Sequence, residues 1–253
     1  MSAAPTVVQE LHGRVLVVRI DREHKRNAID AETARGLDAA LNRLEDDPDI
    51  WAGVLTGTGT VFSAGTDLRA GADARTDRGG AYGVVGRRRL TPLVAAVEGP
   101  AVGGGMEIAL ACDLVVASRS AWFALPETRR GVVATSGALF RAPHALPPHV
   151  ATELLVAGSS LDAERGYHLG LVNRLTEPGR ALSTARELAD DICRSSPVSV
   201  RATMAALHED RAAAEDAGWS ATARASDTVA ASADMHEGIA AFFERREPRW
   251  SGR

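Results

Sequence analysis

Two glutamates, Glu107 and Glu127, stand in settings where a carboxylate could accept or deliver a proton. Glu107 falls in the first turn of a short helix that follows the glycine run Gly103, Gly104 and Gly105, where the helix dipole favours a negative charge. Glu127 occurs in WFALPETRRG, where a strand runs into Pro126 and leaves the carboxylate on the turn beyond, a common place for reactive groups. Taken singly, the first is explained as a helix-start residue and the second as a solvated loop glutamate. Taken as a pair, one carboxylate can remove a proton while the other supplies one. The glycines add an electrophilic element. They let a ligand approach the backbone closely, and the N–H groups that start a helix lack intrahelical partners, so they can bind a carbonyl oxygen acquiring negative charge. A second glycine turn, VFSAGTDL, could present backbone N–H groups around Thr66, with Asp67 as an ordinary cap for the next segment.

Other chemistries lack their residues. The glycines do not satisfy a dinucleotide fingerprint, because Ile108 stands where a small residue is needed, and there is no phosphate-loop lysine. The seven histidines show no metal-ligand spacing and no serine sits in a G-x-S-x-G turn. Cys112 and Cys193, the two cysteines, lie in apolar segments and are expected in the core rather than in a disulfide framework. Arg87, Arg88 and Arg89 are expected as the solvated face of a helix. A net charge of −4 gives no general attraction to nucleic acid, and no run approaches the ~20 apolar residues of a membrane span. The N-terminal MSAAPTVVQELHG does not read as a secretory signal, so a cytoplasmic protein is expected.

The elements that must carry these residues alternate. Val7 to Gln9 and Val15 to Ile20 read as a hairpin around His12 and Gly13, and Asp30 can cap a helix with Ala34, Leu37, Leu41 and Leu44 on one face. Strands are expected at Trp51 to Leu55, Leu93 to Val97 and Leu114 to Ala117, with a polar loop from Arg69 to Gly80, a helix from Tyr82 to Leu90 and another from Gly105 to Ala111. This β-α-β order with continuously apolar strands predicts an α/β fold with helices on both sheet faces. From Ser136 onward helices dominate, at Ser136 to Arg141, Pro148 to Ala157, Asp162 to His168, Arg180 to Ser195, Val198 to Glu209, Ala212 to Ala231 and Met235 to Arg245. The apolar faces of the last helices predict burial against another subunit.

Together these segments resemble the crotonase (enoyl-CoA hydratase and isomerase) superfamily over nearly the whole chain. REHKRNAI at Arg22 to Ile29 looks like its early coenzyme-binding turn, VFSAGTDL like its first oxyanion segment, and AAVEGPAVGGGMEIALACD like its central signature. FALPE, LDAERGYHLGLVNRL and SADMHEGIAAFFERREPRW also match in order and spacing. The resemblance implies a spiral of repeated ββα units over residues 1–195, then a helical trimerisation region over 196–253 that makes a trimer or a dimer of trimers. It implies that a thioester carbonyl sits between the N–H groups of Thr66 and Gly104, which stabilise an enolate. Glu107 then activates water and Glu127 protonates the α carbon, as in hydratases. Arg26, Ala28, Ala64, Gly65, Asp67, Leu68, Gly105 and Thr135 are the implied substrate and CoA contacts. No metal or redox cofactor is implied, since coenzyme A arrives as part of the substrate. After Glu127 the chain has Thr135 and Ala134 where the family has glycine and proline, which implies an acyl group bulkier or differently substituted than a simple straight chain. Two other outcomes fit the same resemblance: an isomerase that shuttles a proton through Glu127 alone, or an acyl-CoA-binding protein without turnover.

Overall fold

The computed structural model of the protein describes residues 5–71 and 74–253, so residues 1–4 of the N-terminal segment and 72–73 of the polar loop lie outside it. Strands β1 (Val7–His12) and β2 (Val15–Ile20) form the expected hairpin, in register from Val7 opposite Ile20 to His12 opposite Val15. Four parallel strands extend it. The chain-order strands are β3 (Ala52–Gly57), β4 (Leu93–Val97), β5 (Ala101–Val102), β6 (Leu114–Ser118), β7 (Trp122–Ala124), β8 (Ser160–Asp162) and β9 (Arg174–Thr176). The main sheet runs β1-β2-β3-β4-β6-β9, and a smaller one runs β8-β7-β5.

Side chains on β2 alternate between two cores, as a period of two requires. Val15 and Val17 join Val54, Val94, Ala96 and Val116 with Ala185 and Ala189 of one helix, α6 (Ala181–Cys193). Leu16, Val18 and Ile20 belong instead to the larger core containing Leu37, Leu41 and Leu44 of α1 (Ala31–Asp46). Both faces of the parallel sheet are therefore covered, which explains its uninterrupted apolar strands. Asp30 caps α1, accepting the Thr33 N–H at 2.9 Å. Cys112 and Cys193 are free thiols and only half-buried, at the edges of the two cores rather than within them.

Two further expectations fail in the first half of the chain. Residues 82–90 are not a helix: after a two-residue ribbon, Arg75–Thr76 with Gly80–Ala81, Tyr82 and Gly83 both turn left-handed, at φ +59° and +72°. Successive positive φ values cannot enter a right-handed helix. The glycines instead close a knot in which a Cβ on Gly80 would lie 2.9 Å from the Gly86 Cα. Nor are Arg87 and Arg89 a solvated face. Arg87 pairs with Asp38, and Arg89, 2% exposed, reaches the Ala111 carbonyl at 2.7 Å and Asp113 at 3.2 Å. Only Arg88 of the three is exposed.

The Arg89 contact has a function in the architecture. It ties the end of α2 (Gly104–Ala111) to Asp113, whose Oδ2 also accepts the Leu93 N–H at 2.8 Å at the start of β4. Arg89→Ala would leave a largely buried carboxylate without its cation, and is expected to cost about 3 kcal/mol in denaturant unfolding. A loss below about 0.5 kcal/mol would show that Asp113 is solvated well enough to stand alone.

The second half is helical: α3 (Ala138–Ala145), α4 (Pro148–Thr152), α5 (Ala163–His168), α6, α7 (Pro197–Ala230) and α8 (Ala233–Glu244). The two helices expected between Val198 and Ala231 are one, α7, because the alanine-rich stretch around 210 holds no breaker. Gly218 inside it is where the Phe140 ring packs, closer than any Cβ would permit. No helix among the described residues is long and apolar enough to cross a membrane.

Candidate active site

β5 and β7 are paired in parallel, Ala101 opposite Phe123 and Val102 opposite Ala124, so the segments leaving them emerge side by side. One is the glycine run and the other carries Glu127. Gly103 donates its N–H to Ala124 at 2.8 Å and turns at φ +56°, and a Cβ there would meet the Glu127 carboxylate at 3.0 Å. α2 then begins at Gly104, which puts Glu107 in its first turn, and Glu127 opens a single 3-10 turn, Glu127–Arg130.

Glu107 is 2% exposed. Its Oε1 accepts the N–H of Ser136 at 2.7 Å and of Ala138 at 3.2 Å, the turn that starts α3. The turn after Thr135 thus supplies the carboxylate with two backbone donors, Ser136 and Ala138. Glu127 is half-buried, and among the described residues its Oε2 is buried with no hydrogen-bond partner. Burial, then the neighbouring Glu127 charge, push the Glu107 carboxyl up to about 7, and burial pushes Glu127 up to about 6. Two such groups hold about one proton between them at pH values from about 6 to 7.

The second glycine turn meets the first. The Ile29 N–H bonds the Gly65 carbonyl and the Asp67 N–H bonds the Ile29 carbonyl, at 2.8 and 2.9 Å, leaving the intervening Thr66 N–H unused by the backbone. Gly65, at φ +82°, lies so near α2 that a Cβ would stand 2.7 Å from the Gly104 nitrogen. Gly105 packs against the Ser63 carbonyl with no room for a side chain. Neither the Thr66 nor the Gly104 N–H donates to a protein acceptor among the described residues. A pair of free N–H groups therefore lies beside the buried Glu107 and half-buried Glu127 carboxylates, an arrangement able to bind an oxyanion and move protons next to it.

The remaining sequence-derived candidates lie outside this cluster. Arg26 is exposed at φ +53°, and its carbonyl accepts the Ala64 N–H at 3.0 Å. Ala28 is buried and gives its carbonyl to Arg22, whose guanidinium also pairs with Asp67 at 3.2 Å and Asp30 at 2.8 Å. Asp67 thus has a bridging role in holding the turn. Leu68 and Thr135 are exposed. Two residues not foreseen from sequence enter the cluster. One is Ser136, through its N–H. The other is Tyr82, whose hydroxyl lies 2.9 Å from the Thr66 Oγ1 and directly against Gly104. No local pattern marks Tyr82, because its left-handed turn is a product of the glycine knot.

Comparison with known proteins places the whole chain. The family model described as enoyl-CoA hydratase/isomerase matches residues 10–253. The carnitinyl-CoA dehydratase of Proteus mirabilis is 37% identical over 97% of this chain and 99% of its own length. The mevalonyl-coenzyme A hydratase sidH of Aspergillus fumigatus is 37% identical over 93% of this chain and 91% of its own. The crystal structure of carnitinyl-CoA hydratase from Mycobacterium avium superposes with a TM-score of 0.92 at 37% identity, covering 99% of this chain and 100% of that one. That of enoyl-CoA hydratase from Mycobacterium tuberculosis H37Rv gives a TM-score of 0.81 at 42% identity, with the same coverage. A family model spanning nearly the whole chain, full-length relatives and the shared fold lead to one conclusion: this chain belongs to the enoyl-CoA hydratase/isomerase family of the crotonase superfamily.

Proposed function

We propose that this protein is an enoyl-CoA hydratase, adding water across the 2,3 double bond of an acyl-CoA thioester and catalysing the reverse dehydration. The observation that carries the reading is the buried Glu107 and the half-buried Glu127, whose Oε2 is buried without a partner among the described residues, beside the free N–H groups of Thr66 and Gly104. The thioester oxygen lies between the two N–H groups. As water adds to the β carbon, electron density moves onto that oxygen, where the donors hold it. Glu107, fixed by two backbone N–H groups, binds the water and takes its proton, and Glu127 delivers a proton to the α carbon. Both carboxyls are raised towards neutrality, and this assignment has the shared proton on Glu127 when substrate and water bind. Coenzyme A is part of the substrate. An isomerase needs only one carboxylate and leaves the buried Glu107 unexplained.

The names of the relatives supply the acyl groups to try. Crotonyl-CoA, a longer trans-2-enoyl-CoA, carnitinyl-CoA and mevalonyl-CoA are to be compared by thioester absorbance and by product mass, which rises by one water when an enoyl-CoA is hydrated, falls by one water when the hydroxylated carnitinyl-CoA or mevalonyl-CoA is dehydrated, and is unchanged on isomerisation. Binding of all four without change of mass would overturn the proposal. Because the mechanism needs one proton on the pair, kcat/KM is expected to be bell-shaped with its maximum between about pH 6 and 7. Below that range both carboxyls are protonated and no base remains; above it both are ionised and no acid remains. A profile flat from pH 5 to 9 would exclude the pair from the chemistry.

Residues 196–253 are proposed as an oligomerisation region of a trimer or a dimer of trimers. Support comes from Val198, Leu207, Phe242 and Phe243, large apolar side chains left 43–76% exposed on α7 and α8. A monomeric mass by light scattering would refute it.

A further inference from the structure

Tyr82 is 6% exposed, holds a left-handed backbone at φ +59°, and points its hydroxyl at the junction of the two glycine turns. For a bulky residue that conformation is costly and persists only where the surroundings impose it. Here the Gly79–Gly86 knot imposes it. The Tyr82 N–H bonds the Ala74 carbonyl at 2.6 Å, and Gly83 packs so closely on α1 that a Cβ would stand 2.8 Å from the Asp38 nitrogen. The result is a phenol oxygen 2.9 Å from the Thr66 Oγ1 and in contact with Gly104, the two residues whose backbone N–H groups are free.

We propose that the Tyr82 hydroxyl is a catalytic residue, a third donor to the oxyanion, completing with the Thr66 and Gly104 N–H groups a cradle built from three separate segments. The Thr66 hydroxyl and the phenol can each donate to the other. With Thr66 Oγ–H donating to the phenol oxygen, the phenol proton is released toward the thioester oxygen, and the two hydroxyls strengthen one another. Burial and the Glu107 charge push the phenol up to about 12, so it stays protonated and remains a donor throughout the working pH range. A neutral hydroxyl adds no charge to bind the ground-state carbonyl, but its bond strengthens as that oxygen becomes an anion. It therefore acts on kcat rather than on substrate binding.

The inference rests on the thioester reading of the site, and the two are separable. Binding of a non-reactive saturated acyl-CoA tests that reading; Tyr82→Phe tests this one. Phenylalanine keeps the ring and tolerates the same backbone, so folding is checked by an unchanged unfolding midpoint. Tyr82→Phe is expected to lower kcat by about a hundredfold with KM changed less than threefold. It should also move the carbonyl stretch of the bound thioester, read by difference infrared spectroscopy, back toward its value in water. Thr66→Val, which removes the hydroxyl that orients the phenol, is expected to give a smaller loss, and Thr66→Ser to restore it. An unchanged kcat and carbonyl frequency in Tyr82→Phe would overturn the proposal. So would a raised kcat, which would make Tyr82 an obstruction that substrate must displace. If Tyr82→Phe fails to fold, Thr66→Val carries the test, and an unshifted carbonyl frequency there overturns it equally.

Discussion

Glu107→Gln is expected to lower kcat for hydration by about a thousandfold and, at pH 8, to leave the protein about 3 kcal/mol more stable than the parent. The two effects share one cause. Glu107 titrates near 4.5 in an ordinary setting and near 7 in the fold, so the folded protein binds its proton more tightly than the unfolded chain does. A carboxyl raised in this way supports the fold fully at pH values below about 4.5. That support is lost as pH rises towards 7, where the folded protein must hold a buried anion. Glutamine is neutral at every pH and still offers an oxygen to the Ser136 and Ala138 N–H groups. The stability gap between variant and parent should therefore shrink to below about 1 kcal/mol at pH 5. Denaturant titrations at pH 5 and pH 8 measure it. An equal gap at both pH values would mean that Glu107 has ordinary acidity, and the site would lose its tuned base.

Gly65→Ala is expected to reduce kcat by two to three orders of magnitude without touching either carboxylate. The new Cβ would stand 2.7 Å from the Gly104 nitrogen and 2.9 Å from the Val102 carbonyl, and alanine would be strained at φ +82°. Both neighbours are backbone, so relief requires the two segments to part. That separates the Thr66 and Gly104 N–H groups, which can then no longer converge on one oxygen. The loss should fall on kcat, while binding of a saturated acyl-CoA weakens less. Gly71→Ala is the control: it also has a positive φ, +98°, but nothing among the described residues lies within 4 Å of its Cβ position. Equal losses at the two positions would place the effect in loop strain and not in the cradle.

Much of the architecture was legible from local pattern. The β1 and β2 hairpin, the Asp30 cap, the Leu37, Leu41 and Leu44 face of α1 and the turn that carries Glu127 all follow from periods of two and 3.6 residues and from turn chemistry. Those signals are carried by neighbours in the chain, so a sequence displays them. The same kind of reading misplaced residues 82–90, since apolar spacing alone does not reveal that Tyr82 and Gly83 must turn left-handed to pack on α1. It also took Arg87 and Arg89 for solvent-facing charges, because their partners, Asp38 and Asp113, are far along the chain.

What the sequence determined by itself, then, is which groups exist and which segments carry them: two glutamates, two glycine turns and the alternation of strands and helices. Tertiary structure decided their chemistry. The pairing of β5 with β7 sets Gly103 against Glu127, and the close approach of Gly65 to Gly104 brings together two glycine turns that no local pattern joins. Burial then raises the two carboxyls towards neutrality, and the glycine knot sends the Tyr82 hydroxyl to Thr66. Acidity depends on the surrounding dielectric and charge, and hydrogen-bond direction on the orientation of distant backbone. Both are properties of assembled space and arise only when the chain has closed around them.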